Sequence, residues 1–309
     1  MKNGVSSLKR LQRRQILFAL LLVAWPLFMF IFTQVMNANM FVMAFHNYTR
    51  AGTDPIFVGF DNFGGVIQMF DTGMVINQVD ATVNSLQVGA VTLFINAPLS
   101  LLFAYLLFMK VPAYKTLRAL LYLPCITSAV VLVLIFRNFF DYDGALYMIY
   151  DLLGVSAKFP TNGWFVKGTA WTAIQIFNVW TGFSTNMLFF LSAMNRVSDD
   201  FVEAAQLDGA TDSQIFFKIV LPLISPTVTT ILTISLASVF GWGYISLLFI
   251  GGDAPAQGAG ALGLTMLSMA NNRNYGMGSA FGVMLTLIGA PFTLAIRALG
   301  RKLSSAEEY

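Results

Sequence analysis

Six long stretches of this chain contain no Asp, Glu, Lys or Arg: Gln15–Thr49, Ala81–Met109, Ala119–Phe136, Gly168–Asn195, Ile219–Gly252 and Asn274–Ile296. They run for 35, 29, 18, 28, 34 and 23 residues. Crossing a hydrocarbon layer of roughly 30 Å takes about 20 apolar residues of helix, so each is long enough or nearly so. A charge at the centre of such a helix costs about 2.5–3.5 kcal/mol, which accounts for the gaps. The pattern predicts six transmembrane helices, over about residues 16–36, 82–108, 119–137, 170–194, 223–249 and 277–298. Only 11% of the 309 residues are charged and 57% are hydrophobic. Soluble proteins carry about 25% charged residues, and a soluble enzyme is excluded. A seventh charge-free stretch, Ala254–Asn272, is too rich in Gly, Ala and Asn for lipid and reads as a loop ending in a short surface helix.

Lys and Arg set the orientation. With the N-terminus inside, the inner side receives 13 basic residues, from Lys2, Lys9, Arg10, Arg13 and Arg14 to Arg297, Arg301 and Lys302. The outer side receives five: Arg50, Arg137, Lys158, Lys167 and Arg273. The positive-inside rule thus predicts both termini in the cytoplasm, with an arm at 1–14, a membrane domain at 15–299 and a tail at 300–309. The basic N-terminus resembles a secretory signal, but its apolar run exceeds the usual length of about 7–15 residues and reads as an uncleaved first span. The net charge of +3 is a sorting signal, with no nucleic-acid partner implied. The lone Cys125 falls in the third span and reads as a small hydrophobe.

The inner segment between spans four and five, 198–222, carries the strongest local pattern. Ser198, Asp199 and Asp200 offer N-cap oxygens and acids for a first turn. Gly209 supplies the left-handed residue that ends a short helix. Thr211 and Gln214 form a capping box that opens a second one, and Pro222 marks its junction with the next span. The expected product is helix, Gly turn, helix.

Glu203-Ala204-Ala205, then three residues, Gly209, nine residues, and Ile219-Val220-Leu221-Pro222 resembles the EAA motif of ABC-importer permeases. The segment Phe57–Phe63 resembles one typical of the maltose-type carbohydrate permeases, and Asn274–Ala280 is a fainter echo. The stretch Asp253–Gly260 departs from that family in its Gly and Ala content. The resemblance implies an all-α polytopic protein of the cytoplasmic (inner) membrane and a division of labour. An ABC ATPase dimer would receive Glu203, Ala204, Ala205 and Gly209, with Leu221 and Pro222 leading back into the membrane. A second, different EAA-bearing permease subunit and an extracytoplasmic solute-binding protein would complete an importer for a carbohydrate.

The residues themselves supply no chemistry of catalysis. A phosphate-binding loop needs Gly-Lys-Ser/Thr, and Tyr114 precedes Lys115-Thr116. With one His, one Cys and no acid in any span, neither metal nor cofactor is expected. An intramembrane serine protease would have to pair Ser184 with His46. An ion-coupled secondary transporter is the rival class, although such proteins usually bury acids or His; an ABC permease for a non-sugar solute is the other alternative. For a substrate pathway, Gln175, Asn178, Thr181 and Thr185 share one helical face of span four. Ser235, Ser238, Trp242 and Ser246 share one in span five, with Tyr244 nearby. Helix packing through small hydroxyl residues is the competing explanation for these stripes. Gly241 and Gly243 are read as clearing space around the Trp242 ring.

Overall fold

A computed structural model describes residues 2–47, 55–72, 78–160 and 162–305. The chain is almost wholly helical: α1 (Lys2–Ala44), α2 (Asp61–Thr72), α3 (Gln78–Val91), α4 (Ala97–Phe108), α5 (Tyr114–Ile126), α6 (Ala129–Phe140), α7 (Ala145–Leu152), α8 (Ala170–Met194), α9 (Asp199–Leu207), α10 (Asp212–Ile215), α11 (Leu221–Ala237), α12 (Tyr244–Ile250), α13 (Leu262–Asn271) and α14 (Tyr275–Ser305). Two short antiparallel strands, β1 (His46–Asn47) and β2 (Ile56–Phe57), pair beside the end of α1.

Four described helical stretches are long and apolar enough to cross a membrane: Leu22–Ala44, Asp80–Phe108, Asp212–Gly241 and Tyr275–Ala298. A bent pair, Tyr114–Ile126 with Ala129–Leu152, makes a fifth if it counts as one span. Helix α8, with 25 residues, is long enough but more polar, carrying Gln175, Asn178, Ser184 and Asn186. Its surroundings explain this. Residues along its whole length, from Ala170 and Ile174 to Phe190 and Met194, are buried by neighbouring helices, so α8 needs no continuous apolar face for lipid. Helix α1 is the opposite case, with Phe18, Trp25, Phe30 and Val35 all exposed.

Three apolar clusters hold the helices together. One joins α4, α8 and α11 around Met187, Phe190, Ile215 and Val220. Another seats α1, α2 and α13 on α14 through Ala44, Val66, Met269 and Phe281. The third packs α6, α8 and α12 around Ile174, Phe177 and Phe249.

Two of the expected spans are broken. The third bends by 105° at Thr127–Ser128. Pro124 has no N–H for the carbonyl four residues back, and Thr127 and Ser128 leave the helical region (ψ 144° and 135°). The Thr127 hydroxyl donates to the Leu123 carbonyl at 2.8 Å, satisfying one group at the break. The fifth span stops at Trp242, where the backbone is extended (φ −74°, ψ 116°), and resumes as α12.

Pro222 stands where expected, at the start of α11, and the helix runs on from α10 to α11 without leaving the helical region. A π turn, Phe216–Val220, directly precedes it, and the Leu221 N–H bonds the Phe216 carbonyl five residues back. Thr92–Asn96 forms a second π turn at the same spacing before Pro98, with the Ala97 N–H on the Thr92 carbonyl. The wider turn makes room for a ring that would otherwise strike the carbonyl of the preceding turn. Helix α13 forms where a surface helix was expected, but Leu262, Leu264 and Met269 bury one side of it.

Candidate functional site

The segment from Ser198 to Pro222 folds as its caps dictate. The Ser198 hydroxyl accepts from the Asp200 N–H and starts α9. Gly209 ends the turn at φ +78°. Thr211 and Gln214 then make a complete reciprocal capping box. The Tyr105 hydroxyl donates to the Asp212 carbonyl at 2.8 Å, and its ring lies 4.7 Å from that of Phe216. This contact, which no local pattern announces, ties the start of the second helix to α4.

The outer surface of α9 is unusually apolar for a loop helix. Leu207 is 89% exposed and Phe201 57%, with Ala204 exposed between them. Ala205 turns inward, onto the α4–α8 cluster. Glu203 is exposed on the wall of a cleft of about 380 Å³ that it shares with Lys110, Asn195, Asp199 and Gln206. Among the described residues, no hydrogen bond or ion pair engages its carboxylate. Leu221 and Pro222 are half-buried at the start of α11.

The two polar faces of spans four and five meet. A cavity of about 180 Å³ is lined by Asn178, Thr185 and Asn186 of α8, Ser235 of α11, and Ser238 and Trp242 at the break. Helix α3 and its π turn add Val88, Thr92 and Asn96. Asn178 is 8% exposed and its amide donates to Gln175 Oε1 at 3.3 Å. Asn96 is 2% exposed; its amide reaches the Asn178 carbonyl at 3.5 Å, while its Oδ1 is buried without a hydrogen-bond partner among the described residues. Gln175 Nε2 is likewise buried and unpaired. A buried group left so costs about 1–3 kcal/mol, which a ligand or water can relieve. Gly182 leaves room for the Asn96 amide: a Cβ on it would stand 2.5 Å from Asn96 Nδ2 and displace it.

Other expected residues lie elsewhere. Thr181 bonds its own helix, at the Phe177 carbonyl (2.9 Å), and does not line the cavity. Tyr244 is 55% exposed at the start of α12. Ser246, expected on one face with Trp242, is carried away by the break and buried within α12. Gly243 does not clear space for the Trp242 ring; it lets two backbones meet, since a Cβ there would fall 2.4 Å from the Leu264 nitrogen. Ser184 donates to the Leu121 carbonyl and His46 bonds the Val42 carbonyl, so they form no catalytic pair.

Residues 16–306 match the family described as binding-protein-dependent transport system inner membrane component. The chain belongs to this family. The match runs from within α1 to the end of α14 and takes in both the 198–222 segment and the polar cavity. As a member, the chain is a multi-pass membrane transport subunit. Among its relatives are YesP of Bacillus subtilis, a probable ABC transporter permease protein, 32% identical over 82% of this chain and 80% of that one. The arabinooligosaccharides transport system permease protein AraP of Halalkalibacterium halodurans is 32% identical over 64% of this chain and 63% of its own length. The trehalose/maltose transport system permease protein MalF of Thermococcus litoralis is 28% identical over 66% of this chain and 68% of that one. The fold is that of a bacterial ABC transporter involved in importing alginate (TM-score 0.73, 20% identity, 95% of this chain and 98% of that one).

Within this family fold, Thr92, Asn96 and Asn186 escape a reading of the sequence. Thr92 and Asn96 sit on a π turn, which shifts the register that helical periodicity assumes. Asn186 lies one residue from the Thr185 stripe. The one available signal is Pro98, whose missing N–H gives the preceding turn room to widen, as Pro222 does after Phe216–Val220.

Proposed function

We propose that the chain is one permease subunit of an ATP-driven, binding-protein-dependent importer for a carbohydrate. Its reading is six spans with both termini in the cytoplasm, α8 being the protein-surrounded one. The observation that carries it is the α9–Gly209–α10 element. It has the complete EAA spacing, an unpartnered apolar face at Phe201, Ala204 and Leu207, and a free carboxylate at Glu203. An ABC ATPase dimer docks there, and its closure and opening drive α11 through Leu221 and Pro222. A second permease, a different EAA-bearing chain, completes the pathway, and a solute-binding protein loads it from outside. Solute passes the Asn178, Asn96 and Trp242 cavity, where amides and hydroxyls suit sugar hydroxyls and an indole suits a sugar's C–H face. The names of the relatives, for arabino-oligosaccharides, trehalose and maltose, support a carbohydrate.

Reconstituting the chain with the proteins encoded beside its gene tests this directly. ATP-dependent uptake of labelled arabinotriose, maltose or trehalose is expected, lost when the ATPase is omitted. Uptake by the chain alone, driven by an ion gradient, would replace this reading with the secondary transporter. Orientation is checked by thiol labelling after Ser213→Cys, reactive from the cytoplasm, and Gly64→Cys, reactive from outside.

A further inference from the structure

One turn of α3 holds three separate parts of the molecule through polar side chains. Asn84, 6% exposed, donates its amide to the carbonyls of Gly258 (3.0 Å) and Gly260 (2.8 Å). Ser85 is fully buried and accepts the Leu262 N–H at 3.0 Å. Gln87 Oε1 accepts from Trp171 Nε1 at 2.6 Å. The Trp171 ring stands edge-on to Trp242, centroids 5.9 Å apart, and Trp242 lines the polar cavity. These contacts gather the loop between α12 and α13, the start of α13 and the Trp242 break against the end of α3 that is outermost in the proposed topology.

Apart from these bonds the loop is anchored by small side chains alone: Ala254 and Ala259 pack into the cluster of α6, α8 and α12, and Ala261 is buried beside them. The remainder is Gly, Pro, Gln, Asp and one more Ala. Its own side chains give up only alanine-sized apolar area on lifting, so hydrophobic burial holds it less firmly than large anchors would. Hydrogen bonds to its carbonyls exchange for water as the loop becomes wet, which makes their net contribution small. A closure meant to be permanent would use large apolar anchors. This one is held by bonds that water can replace.

We propose that Asn84, Ser85 and Gln87 form an outer clasp. It holds the loop Gly251–Ala261 against α3 on the outer side of Trp242, whose ring lines the polar cavity, and must release before solute enters. Asn84, with two of the bonds, is the principal positioning residue. The inference rests on the importer reading, and its test is built so that each can fail separately.

The assembled complex is prepared in right-side-out vesicles in a Cys125→Ser background. Ala259→Cys places a thiol beneath the loop, and a membrane-impermeant maleimide added outside reports how often the loop lifts. Asn84→Leu should speed labelling about tenfold, since it deletes two neutral hydrogen bonds each worth a factor of a few, with complex yield unchanged. An unchanged labelling rate overturns the clasp. Should Asn84→Leu fail to assemble, a second arm decides. Asn84→Cys with Gly260→Cys, where a Cβ meets nothing nearer than 3.4 Å, is bridged by a short bis-thiosulfonate reagent. Bridging should abolish uptake of maltose, trehalose or arabinotriose, and reduction should restore it; full uptake while bridged overturns the clasp. Absence of ATP-dependent uptake in the unmutated complex fails the importer reading, and is seen before Asn84 is touched.

Discussion

Between Ser198 and Gln214 each change of backbone direction is decided by a residue a few positions away, whereas the polar cavity is assembled from helices far apart in the chain. In the first region Ser198, Gly209 and the Thr211–Gln214 box fix two helix ends and the turn between them. In the second, Asn96 becomes a cavity residue because Pro98 widens its turn, Gly182 leaves room for its amide, and α11 brings Ser235 alongside. Local rules suffice for a segment in water that has to keep its shape while exposed. At membrane depth, unpaired polar groups are expensive, so polarity survives only where several helices surround it. The same contrast separates their mutants. Changes in the loop should act on shape and coupling, and changes in the cavity on single contacts.

The largest effect is expected at Gly209. Its φ of +78° is closed to proline, whose ring fixes φ near −65°, and a misplaced proline costs roughly 3 kcal/mol, about two orders of magnitude in any step that needs the native turn. Gly209→Pro should insert normally yet lose ATP-coupled uptake by about that factor. Glu203→Lys, at a carboxylate with no partner among the described residues, should leave the turn intact and weaken ATPase association about tenfold by reversing a surface charge. Co-purification of the ATPase alongside uptake separates the two. Normal transport in both mutants would remove the loop from the coupling path.

The contrast also explains what the sequence could disclose. The helix–Gly–helix element was legible because every capping group lies within four residues of what it caps. The long helices were legible from their missing charges: four of the charge-free runs hold a described helix long and apolar enough to cross a membrane, another holds the bent pair, and α8 is long but too polar to count with them. The break at Trp242 was not legible, since Gly241 and Gly243 fit equally well as space around an indole. The use of Gly243 emerges only with Gly263 and Leu264 packed against it, whereas a Cβ on Gly241 would meet open space. Thr92 and Asn96 were hidden by the π turn, and Ser246 was misassigned by the same assumption of an unbroken helix. Asn178 was legible as a buried amide in an apolar stretch, and Thr181 was not separable from it, because one helical face does not tell which of its members meets a cavity.

Within the cavity, Trp242 and Asn178 sharpen the comparison. Trp242→Ala removes a ring that lines the cavity and packs edge-on to Trp171. An aromatic contact contributes about 0.5–1.5 kcal/mol beyond its buried area, so uptake should fall about tenfold. Asn178→Ala deletes a single neutral amide, worth around 1 kcal/mol, and about a fivefold loss is expected. In both, complex yield and basal ATP hydrolysis should persist. If yield, hydrolysis and uptake fell together, the residues would be packing elements, and the cavity would lose its standing as a pathway.

Thr181 supplies the smallest effect and the most discriminating control. It shares a helical face with Asn178, so a reading from periodicity alone gives the two residues equal weight. Its hydroxyl, however, is spent on the Phe177 carbonyl of its own helix at 2.9 Å, a carbonyl that α8 already engages through the next turn. Thr181→Val replaces that hydroxyl with a methyl group of nearly the same size. It deletes one intrahelical bond and leaves no buried donor or acceptor newly stranded, so the change should stay near the lower end of the usual range of about 0.5–1.5 kcal/mol. Uptake in Thr181→Val is therefore expected within about twofold of the unmutated complex, against the fivefold loss for Asn178→Ala measured in the same vesicles. Equal losses at the two positions would mean that the whole face of α8 meets solute and that the cavity is wider in the working cycle than it is here around Asn96 and Gly182.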